Sequence, residues 1–252
     1  MEPEILMPVT DPQIVTELNA LAKRHRAASG PVMQVISFVG GSAEGLLGKL
    51  PAPVRGGLEG ATERALETAL SAAARTREMV SDRPDWVNTT LATALGAAGG
   101  FGGLPGALAE LPFTVTMLLR AIQGIAAEHG FDPASEEVRM ECLRVFASSG
   151  PLAKDDGSDM GFLAAKVTIT GSGINGLIAK VAPRLSAVLG QKLAAQTAPV
   201  LGAVAGAAVN YAFTSYYQEI ARVHFGLKRL ARETGEDEGL LREELVARIL
   251  RK

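Results

Sequence analysis

Cysteine occurs once in this chain, as Cys142, so neither an internal disulfide nor a cysteine-built zinc site can form, which fits a reducing compartment. Aromatic residues are scarce. They make up 5% of the chain against 47% hydrophobic residues overall, and Ala and Leu dominate over Val, Ile and Tyr, the mix of close-packed helices rather than sheets. A net positive field is also missing: 25 Lys and Arg stand against 27 Asp and Glu, and no basic run is interleaved with aromatics, which argues against a nucleic-acid partner. The three histidines, His25, His129 and His224, are far apart and each lies near a charged helix end, so no metal centre is expected. Met1 is followed by Glu2, Pro3 and Glu4 rather than by a basic and then an apolar stretch, so no secretory signal is expected. No fixed-period repeat is evident.

What the chain does have is charge-free length. Leu193 to Gln218 and Trp86 to Ala109 carry no charged residue, and mean hydropathy is high at +0.18, which calls for a generous core or for surface that meets lipid or a partner. In the first run Ala198, Gly202, Gly206 and Asn210 recur every four residues as a small-residue stripe suited to close helix packing. The helix then turns aromatic and charged through Tyr211, Phe213, Tyr216, Tyr217, Glu219 and Arg222, and is expected to leave the interior there. About 20 apolar residues span a bilayer. Both runs fit that role poorly, the second being broken by glycines and Pro105 and the first holding Gln196, Thr197 and Asn210.

In chain order, Asp11 and Pro12 predict a helix start, with Ile14, Leu18 and Leu21 on one face, ended by Gly30 and Pro31. A glycine-loosened helix is expected over Val32 to Leu50, and an amphipathic one over Leu58 to Val80. The glycines of Gly96 to Gly106 separate two helices, the second starting near Leu111 and Pro112 and running to Gly130. Asp132 and Pro133 predict another start, with Val138, Cys142, Val145 and Phe146 inward. Lys154 to Asp159 reads as a polar loop, Met160 to Thr170 as helix, and Leu177 to Leu193 as helix leading into the apolar one. The charged tail ends in a short amphipathic helix on Leu241, Leu245 and Ile249.

Motifs with chemical meaning are mostly incomplete. Gly171-Ser-Gly173-Ile-Asn-Gly176 matches the dinucleotide fingerprint after the strand-like Val167 to Thr170, yet no Asp or Glu follows before Glu219 to hold a ribose, so no nucleotide cofactor is expected. Gly40-Gly-Ser-Ala-Glu44 lacks the last glycine of a nucleophile elbow. A calcium loop from Asp155 would place Met160 and Lys166 where Gly and Glu are required. Two residue sets remain. Glu110, Arg120, Gln191, Lys192 and Asn210 are a candidate polar cluster within apolar helices; Glu110 is read first as a helix-start carboxylate, with Arg120 as its candidate partner. Tyr211, Tyr216, Tyr217, Arg222, Lys228 and Arg229, with His224 among them, are a candidate membrane or partner contact, since rings and cations suit headgroup depth.

At these residues the chain resembles a known family. Gly103-Leu-Pro-Gly-Ala-Leu-Ala-Glu-Leu-Pro112, Leu119-Arg-Ala-Ile-Gln-Gly-Ile-Ala-Ala-Glu-His-Gly130, Gln191-Lys192, Pro199 to Asn210 and Tyr217-Gln-Glu-Ile-Ala-Arg-Val-His-Phe225 together look like the EcsC protein family, over nearly the whole chain. The resemblance implies a bacterial, largely helical protein whose namesake is encoded beside an ABC transporter, and it brings no catalytic residues. A fainter likeness joins Leu104 to Gly130 and Pro199 to Phe225 to a helical module attached to some Era-like GTPases, though no GTPase motif is present.

The expected fold is all-α, a single compact multi-helix domain with Gly/Ala-rich buried helices: N-terminal helices in 1–57, an EcsC-like domain in 58–235 and a charged helical tail in 236–252. The expected function is that of a membrane-associated accessory or interaction protein at the cytoplasmic face of the plasma membrane, binding a membrane surface or membrane protein. Two alternatives stand beside it. One is an integral protein using 193–218 as a span; the other is an enzyme or ligand-binding protein with an apolar cleft lined by Glu110, Arg120, Gln191 and Lys192.

Overall fold

A computed structural model of the chain describes residues 10–31, 48, 50–79, 103–147, 173–196 and 202–251, with the backbone alone described over 71–79, 103–110, 195–196 and 202–206. Seven helices and no strand occur among the described residues: α1 (Pro12–Ala28), α2 (Ala52–Met79), α3 (Gly103–Glu128), α4 (Glu136–Ala147), α5 (Gly173–Gln196), α6 (Gly202–Thr234) and α7 (Glu238–Leu250). The all-α expectation therefore holds. Most of the Val32 to Leu50 segment, most of the Gly96 to Gly106 stretch, the Lys154 to Asp159 loop, the Met160 to Thr170 helix and the strand-like Val167 to Thr170 lie outside the described residues.

Local chemistry sets the helix ends. Asp11 caps α1 by accepting from the backbone N–H of Gln13 at 2.7 Å and of Ile14 at 3.3 Å, and Pro12 follows where its missing N–H costs nothing. α3 ends in a Schellman motif: Gly130 has φ +76°, its N–H donates to the Ala127 carbonyl and the Phe131 N–H to the Ala126 carbonyl. α6 ends on Gly235 at φ +74°, and Asp237 caps α7.

Several boundaries differ from the sequence reading. α3 begins at Gly103 and continues through Pro112 instead of starting near Leu111. Pro112 forfeits one helical hydrogen bond, and its exposed position lets the helix absorb the loss. α4 begins at Glu136, not Asp132. Asp132 instead forms a turn by accepting from the Ala134 N–H, and Ser135 supplies the cap, its hydroxyl accepting from the Val138 N–H at 3.3 Å. α2 begins at Ala52, six residues before the first regular apolar repeat.

α6 is the central helix, packed against α1, α3, α4, α5 and α7, while α2 packs on the far side against α3 and α5. The expectation that this helix leaves the interior after Asn210 is corrected. Ala212, Phe213, Tyr216, Tyr217, Ile220, Ala221, Val223, Phe225, Leu227 and Leu230 are all buried, because helices on several sides cover it down to its last turns. Tyr217 stacks edge-on against Phe146 of α4 at 5.0 Å between centroids.

Two contacts fix helix directions. Arg232, near the end of α6, donates to the carbonyls of His129 and Gly130 at 2.9 and 3.0 Å, so the C-terminal ends of α3 and α6 meet and the two packed helices run parallel. α1 runs antiparallel to α6, as Arg24 pairs with Glu219 at 2.7 Å while Glu17 lies beside Arg229. At Gly226 an added Cβ would fall 2.9 Å from Leu21 Cδ2, so α1 crosses α6 where there is no side chain.

Candidate functional site

Two polar gatherings stand out among the described buried residues. The first is at the α3/α5 contact. Lys192 of α5 is 1% exposed, an extreme position for an ammonium group, and its Nζ donates to Thr114 Oγ1 of α3 at 3.5 Å. On α6, Asn210, Thr214 and Gln218 follow one another at four-residue spacing and are all buried. Gln191 beside Lys192 is half-buried, as is Arg120.

Of the residues singled out as a polar cluster, then, Lys192 and Asn210 lie inside the bundle. The structure brings Lys192 to Thr114, a residue the sequence reading passed over. The helix-start reading of Glu110 is corrected, because α3 begins seven residues earlier, at Gly103. Its candidate pairing with Arg120 falls on the Glu110 side chain, which lies outside the described residues.

The second gathering joins α4, α6 and α7. Glu141, 8% exposed, accepts from His224 Nε2 at 2.8 Å and from its own helix's Arg144 Nη1 at 2.8 Å. Lys228 Nζ lies 3.7 Å from the same carboxylate and 3.4 Å from Glu238 Oε2 of α7, which also binds Arg242. Burial alone raises the Glu141 carboxyl, but the hydrogen bond and charge of His224, with Lys228 and Arg144, outweigh it and hold the group at about 2. A carboxylate kept charged among cations is a structural clamp, since it offers no proton near neutral pH.

This geometry reassigns most of the aromatic and basic set. Tyr216 is 4% and Tyr217 1% exposed, and Lys228 turns inward to Glu141. Arg222 is half-buried beside Glu219, with which it pairs at 2.6 Å. Only Tyr211, 49% exposed, and Arg229, with 40% of its side chain exposed, keep substantial contact with solvent. The physical reason is that α1, α4 and α7 cover this part of α6, a tertiary fact its own sequence does not carry.

The sequence reading missed Glu141, although a signal was available. It sits three residues after Val138 and four before Val145, on the face assigned to the core. His224 and Lys228 share one face of α6 in the same way, four residues apart.

Among the described residues no group of His, Cys, Asp or Glu is arranged to hold a metal ion, and no helix is long and apolar enough to cross a membrane. The single span over 193–218 finds no support among the described residues, where no helix qualifies, and its 197–201 part lies outside them.

The model of the EcsC protein family matches residues 70–230, well over half of the chain, from the last turns of α2 nearly to the end of α6. The chain belongs to the EcsC protein family. The matched stretch holds both polar gatherings except Glu238 and Arg242, while α1 and α7 lie outside it. No curated protein and no solved structure is recognisably similar to this EcsC-family chain.

Proposed function

We propose that this EcsC-family protein is a peripheral, membrane-associated accessory or interaction protein that meets the lipid interface, or a membrane protein at that depth, with one end of its bundle. The observation that carries the reading is the parallel course of α3 and α6. The charge-free stretch Gly103 to Ala109 opens α3 and Gly202 to Gln218 forms the first half of α6, so parallel packing brings both to the same end. The charged residues of α6, from Glu219 onward, lie toward the other end.

Exposed aromatic side chains support the same end. Phe113 of α3 is 43% exposed and Tyr211 of α6 is 49% exposed. Counted back from the shared C-terminal end at 1.5 Å per residue, they lie roughly 24 and 32 Å along the pair, within about 8 Å of each other. Aromatic rings at such a position suit the headgroup boundary. The buried thiol of Cys142, outside any disulfide, is compatible with the cytoplasmic side.

Flotation of the purified protein with liposomes tests this reading. An apolar end inserts through buried area, so binding should persist at high salt and on neutral lipid, and Phe113→Ser with Tyr211→Ser should weaken it without unfolding the protein. Failure to float with any lipid would set the lipid reading aside. Binding that vanishes at high salt would point to surface charge instead.

A further inference from the structure

The two ends of the chain form one layer. α1 and α7 lie outside the family-matched stretch, pack on each other, and each packs on α6. Among the described helices, no comparable packing joins either of them to α2, α3, α4 or α5. We infer that α1 and α7 are a single strap closed over α6, which opens as a unit and leaves α2 to α6 folded beneath it.

The local contacts fit an element that can lift. Each strap helix carries its own cap, Asp11 for α1 and Asp237 for α7, so neither needs the rest of the bundle to satisfy its first N–H groups. The two are tied together by Arg26 Nη1, which donates to the Arg248 carbonyl at 2.6 Å. The polar ties of α1 to α6 lie in water. The Arg24–Glu219 pair is 42% and 30% exposed, and Arg229 and Glu17 are 40% and 53% exposed at 4.0 Å. α1 buries Ile14, Leu18, Leu21, Ala22, His25 and Ala28, and α7 buries Leu241, Leu245 and Ile249.

Lys228 shows how opening avoids stranding a charge. It stands between Glu238 of the strap at 3.4 Å and Glu141 of α4 at 3.7 Å, so when α7 leaves, the ammonium keeps a carboxylate. At Gly226 Leu21 of the strap occupies the space left by the missing side chain of α6, with His129 beside it. Opening would uncover the α6 face bearing Glu219, Gly226 and Arg229 and release two amphipathic helices, which is a conformational device independent of lipid binding.

Native-state hydrogen exchange across sub-denaturing urea, on the full chain, tests this. Amides of 12–28 and 238–250 are expected to exchange through one shared opening, with a smaller urea dependence than α3 to α6. In a second test Leu18→Asp should raise exchange in α7 together with α1, by about tenfold or more, and leave α3 to α5 unchanged. Separate openings for α1 and α7, or exchange of both only through global unfolding, would overturn the inference.

Discussion

His224 and Glu141 meet across the α4/α6 packing at 2.8 Å, with side chains only 3% and 10% exposed, and through Lys228 the contact reaches α7. A carboxylate in this position serves Arg144, Lys228 and the His224 imidazole, side chains from two helices. Glu141→Gln keeps the shape and removes the charge, leaving Arg144, His224 and Lys228 to compete for a neutral amide. The expected loss is about 3 to 5 kcal/mol in urea unfolding, the cost of breaking a buried pair. A loss below about 1 kcal/mol would mean that solvent already screens the cluster.

Acid should act through the same group. Glu141 is held at about 2 against an ordinary value of 4.5, so its contribution is complete above pH 4.5 and disappears as pH falls toward 2. The contribution is on the order of 3 kcal/mol, from about 1.4 kcal/mol for each tenfold change in proton affinity. Stability measured from pH 6 to 2 should therefore fall more steeply in the wild type than in Glu141→Gln, and the two curves should converge at the acid end.

Glycines in and just after α3 separate backbone need from helix propensity. Gly130 has φ +76° and an added Cβ would lie 3.1 Å from Arg232 Nη2, so Gly130→Ala should destabilise by about 1 kcal/mol or more. Gly124 lies within α3 with nothing inside 4 Å of its missing Cβ, so Gly124→Ala should stabilise by up to about 1 kcal/mol. Thermal midpoints of the two variants on opposite sides of the wild type would check both.

The contrast between these elements shows what the sequence could carry. α1 and α7 were legible because their starts are written locally, in Asp11 with Pro12 and in the spacing of Leu241, Leu245 and Ile249. The course of α3 through Pro112 was not. A proline and nearby glycines argue locally for a break, while packing against α2, α5 and α6 holds the helix together. The fate of Tyr216, Tyr217 and Lys228 was hidden for a similar reason: their neighbours come from α4 and α7, distant in sequence. The Glu141 cluster was half visible, as a carboxylate on an apolar helical face whose partners lie about 80 residues away.

The most direct measurement concerns which end of the bundle meets lipid. In a Trp86→Phe background, single tryptophans replace Phe113, Tyr211 or, in the exposed turn at the opposite end, Glu236, and quenching by brominated phospholipid is recorded on vesicles. Phe113→Trp and Tyr211→Trp should be quenched and Glu236→Trp should not. Quenching of Glu236→Trp alone, or of none of the three, would contradict a lipid-facing uncharged end.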